Sequence, residues 1–271
     1  MEILLTLVSA ASFAAFILCF ALVVPRPAGE RCAEASPLFC GATRGFARLS
    51  ALCALAAFYF VPVGSLPPFI EFEFGGFAAA ALLIASALLD MPRGEARFGS
   101  VVAALVFPAA FCFAWALLAL FVSRAGVPGA LGSLGTYSVM PLWRAAGVWG
   151  RAGMVCLFIM LLCLFPNASR ASAGARRSPE NLAAALRAAL CAALVAALLL
   201  PWNISAFIAA GGFYAFFLDF IFFWIKASAV GCAATFAPRA AVLLVRRRAP
   251  LLYAALIIFG ALCIFIEARI F

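Results

Sequence analysis

From Pro201 to Arg239 the chain reads PWNISAFIAAGGFYAFFLDFIFFWIKASAVGCAATFAPR, an apolar stretch longer than one bilayer crossing requires, broken in its middle by one acid and one base, Asp219 and Lys226. A charge at the centre of an isolated membrane helix costs about 2.5–3.5 kcal/mol, so such a residue is read first as facing protein or water rather than lipid. The stretch predicts a membrane protein with a polar interior. Composition agrees: hydrophobic residues make up 68% of 271 and charged residues 11%, and the mean hydropathy is +1.19. A water-soluble domain of this size has no way to hide so much apolar surface.

A spanning helix needs roughly 20 mostly apolar residues. Eight runs qualify: 3–24, 46–63, 74–90, 99–122, 152–166, 182–201, 207–237 and 250–267, the fifth short and the seventh long. The expected fold is therefore all-α, a multi-pass bundle of transmembrane helices forming one integral membrane domain over 1–271. The first run is expected to stay as a helix, because Met1-Glu2 lacks the positive start of a signal peptide and no small-residue cleavage site follows.

Arginine placement orients this bundle. Connections 26–48, 91–98, 167–181 and 238–249 hold thirteen arginines, whereas the alternate connections and the C-terminal tail hold four. The asymmetry puts the first set in the cytoplasm and both termini outside. These arginines and anionic headgroups account for the net charge of +9 without nucleic acid as a partner. Connection 123–151 carries six glycines, two prolines and two tryptophans, which predicts an interfacial stretch at the outer face.

Absences narrow the chemistry. With no histidine, histidine-ligated haem, ordinary zinc or copper sites and any histidine proton shuttle are excluded. The ten cysteines form no C-x-x-C; eight lie in apolar runs, where cysteine behaves as a small hydrophobe, and only Cys32 and Cys40 fall in a connection. That connection is placed in the cytoplasm, where a disulfide is not expected, and two thiols do not hold an iron–sulfur cluster. No metal, cofactor or catalytic residue is assigned to this chain. Gly75-Gly76 and Gly211-Gly212 read as close helix packing rather than phosphate cradles.

Asp219 and Lys226 remain the sharpest candidates. Seven residues is two helical turns, about 10.5 Å of rise and nearly the same face. That is too far for a direct ion pair and suited to a water-bridged charge row. The opposing reading is an acid and a base neutralised by neighbouring helices, with Lys226 free to snorkel toward the cytoplasmic interface. Glu71 and Glu73 lie in a connection placed outside, and Asp90 closes the third run beside Arg93; each has an ordinary solvated reading. The candidate ion relay is the set Asp219, Lys226, Asp90, Glu71 and Glu73.

Pro201-Trp202, Gly211-Gly212, FIFFWIKA ending at Lys226, a basic turn at Pro238-Arg239 and a last hydrophobic helix follow one another in the C-terminal third. Val61-Pro62-Val63-Gly64-Ser65 and Leu88-Leu89-Asp90 form a second group. In these motifs, and in the order of its runs, the sequence resembles the membrane subunit that joins the hydrophilic and ion-pumping arms of respiratory complex I, including its shorter versions in formate hydrogenlyase and energy-converting group 4 nickel–iron hydrogenases. Where that family has a proline-phenylalanine-aspartate motif and an acid-rich loop, this chain has CLFPNASRASAGARRSPENL, with Glu180 the one acid left. The resemblance implies a non-catalytic subunit of a prokaryotic inner-membrane complex that couples electron transfer to proton or sodium movement. It further implies iron–sulfur clusters, with a nickel–iron site in the hydrogenase branch, in hydrophilic partner subunits, and antiporter-like membrane neighbours. The arginine-rich connections, through Arg26, Arg31, Arg44, Arg246, Arg247 and Arg248, would dock the hydrophilic arm. Two alternatives stand: a small-solute permease, although residues 1–130 and 131–271 show no internal repeat, and a structural anchor that has lost ion transfer.

Overall fold

A computed structural model describes residues 40–61, 63, 75–89, 98–125, 143, 146–169, 179–200, 202–204, 213–245 and 249–270. Seven α-helices hold nearly all of them: α1 (Cys40–Ala57), continued by a short 3₁₀ turn over Phe58–Phe60, α2 (Gly75–Leu89), α3 (Phe98–Ala125), α4 (Val148–Ser169), α5 (Pro179–Leu199), α6 (Phe213–Val245) and α7 (Ala249–Ile270). These match the second to eighth apolar runs in order. The first run, 3–24, lies outside the described residues.

Among the described residues, two helices are long and apolar enough to cross a membrane, over Val148–Phe165 and Phe217–Ala234. Shorter apolar stretches occupy α1, α2, α3, α5 and α7. The bundle is apolar on its outside as well as inside: Leu52, Val148, Trp149, Ile225, Ile258, Phe259 and Leu262 are among many large hydrophobic side chains left exposed.

The fifth helix is the axis of the bundle. It packs against α1, α2, α4 and α6, and from Ala183 to Leu199 its side chains are buried or nearly so on every side. A helix surrounded in this way needs small side chains so that its neighbours can approach, and the sequence supplies AAALRAALCAALVAALL. Pro179 opens it with a preset φ.

The last helix packs most extensively on α4, along glycines. A Cβ at Gly153 would stand 2.7 Å from Ile264 Cγ1 and 2.9 Å from the Gly260 carbonyl oxygen, so α4 and α7 touch backbone to backbone there. Ring contacts close other interfaces: Phe77 lies 4.4 Å from Trp115 between α2 and α3, and Phe107 lies 6.2 Å from Phe165 between α3 and α4. A Cβ at Gly76 would meet the Trp115 ring at 3.1 Å, the close packing expected at Gly75-Gly76.

Several boundaries differ from the sequence reading. The short fifth run becomes a helix of 22 residues, taking in Val148–Arg151 from connection 123–151. Cys40, Arg44 and Arg48 lie on α1 rather than in a connecting loop, and Glu180 lies on α5. Pro238-Arg239 is not a turn: α6 runs through both to Val245, making 33 residues. Pro108 likewise sits inside an unbroken α3. The cause is common to both prolines, since the apolar sequence on either side offers the backbone no partners except its own helix. One lost N–H bond is then cheaper than ending the helix.

Candidate functional site

The middle of α6 turns its polar residues inward. Asp219, Phe223, Lys226, Ala227, Val230 and Ala234 are buried at helical spacing, while Phe217, Ile221 and Ile225 on the other side are exposed. This is the reverse of a helix in water. Asp219 retains 1% of its surface and Lys226 9%, so both charges sit inside the protein, on one face, two turns apart.

Lys226 does not snorkel. Its ammonium donates to the carbonyl oxygens of Leu200 at 2.8 Å and Trp202 at 2.7 Å, just past the C-terminus of α5. The Leu200 carbonyl stands at the negative end of the α5 dipole, which the cation neutralises, and the Trp202 carbonyl adds a second acceptor beside it. The rings of Phe222 and Phe223 lie 5.3 and 5.9 Å from Nζ, adding their electron-rich faces. The Asp219 carboxylate attracts the same ammonium electrostatically. Trp202 in turn stacks edge-on against Trp143 at 5.7 Å, and the Trp143 carbonyl accepts from Arg151 Nε at 3.2 Å. The end of α5, the start of α4 and the middle of α6 therefore meet around the lysine.

Two further buried charges were not among the expected site residues. Arg187, in the middle of α5, is 2% exposed. Its Nη1 donates to Ser50 Oγ at 3.0 Å, to the Ser86 carbonyl at 3.4 Å and to Ser86 Oγ at 3.5 Å, while Ser50 Oγ donates to the Ser86 carbonyl at 2.8 Å. One guanidinium thus joins α1, α2 and α5. Glu267, on α7, is 3% exposed, and its carboxylate accepts from the backbone N–H groups of Gly147 and, at 3.3 Å, Gly150. It caps the start of α4, where unpaired N–H groups and the positive dipole end favour an anion. Both could have been found in the sequence by the rule that singled out Asp219: an ionisable residue inside an apolar run.

Of the other expected residues, Glu71, Glu73, Asp90, Arg26, Arg31, Arg246, Arg247 and Arg248 lie outside the described residues, as do Gly211, Gly212 and Cys32. Arg44 is placed on α1. Among the described residues, no cluster of three or more histidine, cysteine or acidic side chains is arranged to hold a metal.

The described residues define a helical bundle, apolar outside, whose interior holds two cations and two carboxylates on α5, α6 and α7. No protein-family model matches this sequence, and no curated protein matches it.

Proposed function

We propose that this chain is a multi-pass integral membrane subunit of a complex I-like or group 4 hydrogenase-like energy-converting complex, anchoring its iron–sulfur arm and coupling electron transfer to proton or sodium movement. The observation that carries the reading is α6: an acid and a base, two turns apart, both turned into a bundle whose outer faces are apolar. Ionisable groups so placed are expensive in a bilayer and mark ion paths and relays by default. In this reading the chain has eight spans, lies in a prokaryotic inner membrane with both termini outside, and docks the hydrophilic arm through Arg26, Arg31, Arg44, Arg246, Arg247 and Arg248. Redox centres belong to partner subunits. Asp219 and Lys226 supply a coupled pair whose charge states respond to each other, and Glu71, Glu73 and Asp90 extend the relay.

A second reading, a structural anchor without ion transfer, is favoured by one specific observation. The ammonium of Lys226 is held by the end of α5 and the carboxylate of Glu267 by the start of α4, so both have a purely architectural use.

One experiment separates the two. The chain carrying Lys226→Met is isolated from native membranes with its partners and reconstituted into vesicles. The coupling reading expects iron–sulfur subunits to co-purify, electron transfer to persist and ion uptake to fall at least tenfold. The double variant with Asp219→Asn should lose no more than the worse single variant, because residues acting as one unit are not additive. Wild-type ion uptake by Lys226→Met in the intact complex leaves the anchor; a chain isolated without redox partners sinks both.

A further inference from the structure

We propose that the end of α5 is a monovalent-cation site and that Lys226 is the cation resident in it. The groups described around Nζ attract positive charge, and its two carbonyl acceptors come from outside the lysine's own helix. The carbonyls of Leu200 and Trp202 converge to 2.8 and 2.7 Å from one point. Carbonyl oxygens beyond a helix C-terminus lack intrahelical donors and concentrate the negative end of the dipole. The Phe222 and Phe223 rings present π faces, and Asp219 lies on the same buried face of the helix two turns away. Helix C-termini and unwound carbonyls that converge on one point are an arrangement by which membrane proteins bind sodium and similar ions.

The consequence concerns what happens when the ammonium is absent. The cradle is built by α5, the segment after it and the aromatic side of α6, so removing the side chain beyond Cβ leaves the oxygens in place with a cavity the length of the lost stem. Their distances from the ammonium nitrogen are those of charge-assisted N–H···O bonds, about 2.7–2.9 Å, a radius that suits an ammonium or potassium ion better than a small, tightly hydrated lithium ion. The site is thus selective for alkylammonium, ammonium and potassium. It requires no partner subunit, so its failure and the failure of the coupling reading are separate outcomes.

The test uses the isolated full chain in lipid nanodiscs. Thermal unfolding of wild type, Lys226→Ala and Lys226→Gln is followed in choline, lithium, potassium and methylammonium chloride at equal ionic strength. Wild type should unfold at one temperature in all four salts. Lys226→Ala should unfold earliest in choline and lithium, and saturating methylammonium should raise its midpoint by about 3 °C, with potassium giving a smaller rise. Lys226→Gln, whose neutral and slightly shorter side chain fills the space of the lost stem, should be indifferent to salt. An equal midpoint for Lys226→Ala in every salt overturns the site, and so does a methylammonium response in Lys226→Gln. Should Lys226→Ala aggregate in choline, extraction in methylammonium chloride becomes the measurement, with recovery of folded protein expected and aggregation in every salt counting against the site.

Discussion

Glu267 shows how much one side chain can decide. Its two oxygens accept from Gly147 and Gly150; a Cβ at Gly147 would stand 2.6 Å from the carboxyl oxygen, and one at Gly150 would press on Ala146 Cβ at 3.0 Å and Glu267 Cγ at 3.2 Å. An amide has one acceptor where the carboxylate has two, and it carries no charge for the dipole to hold. Glu267→Gln is therefore expected to destabilise the start of α4 by about 1–2 kcal/mol. Amide hydrogen exchange over residues 147–151 should quicken by roughly the matching tenfold, with α1 and α2 unaffected. The sequence made Asp219 and Lys226 visible because they interrupt a long aromatic run. Arg187 and Glu267 obey the same physics and were less visible: the arginine stands among alanines, where an orienting arginine count passes over it, and the glutamate stands where a helix end is expected to meet water. Neither the two serines nor the carbonyls that serve these charges carry any signal in one dimension, since their role comes from which helices meet.

At the scale of helices, the α4–α7 seam and the start of α1 make opposite forecasts for the same substitution. Gly153 faces Ile264 Cγ1 and the Gly260 carbonyl below 3.0 Å, so Gly153→Ala must push two backbones apart and should cost about 1–3 kcal/mol. Gly45, on α1, has nothing within 4 Å of an added Cβ. Alanine there should be neutral or stabilise by up to about 1 kcal/mol through helix propensity. Denaturant unfolding of both variants in the same micelles checks the pair, and equal effects would contradict the seam. For the second to eighth apolar runs, helix existence and order were legible from hydropathy alone, while boundaries were not. Apolarity stops at Arg151 and at Pro238, yet α4 begins before the first and α6 continues past the second, because backbone hydrogen bonding rather than side-chain character sets where a helix ends.

For the molecule as a whole, the exposed apolar side chains set the solvent. Trp149 is 49% exposed on α4, whereas Trp115 is 4% exposed inside the bundle. A protein retaining Trp149 alone should lose most of its fluorescence to brominated lipid, and one retaining Trp115 alone should keep most of it. Similar quenching of both would mean that the bundle's apolar face is covered by protein instead. Such a face, in water, would exceed what a soluble monomer carries.

The central position of α5 has a consequence for how the protein is made. A helix with an arginine in its middle partitions poorly into lipid by itself, at a cost of about 2.5–3.5 kcal/mol for that residue. Its hydroxyl and carbonyl acceptors, Ser50 and Ser86, belong to helices synthesised earlier. If α5 crosses a bilayer, as the proposed function has it, its insertion would wait on α1 and α2 being already paired, so the ribosome would deliver the lock before the key, and a chain with its first helices reordered would stall with Arg187 at the membrane surface.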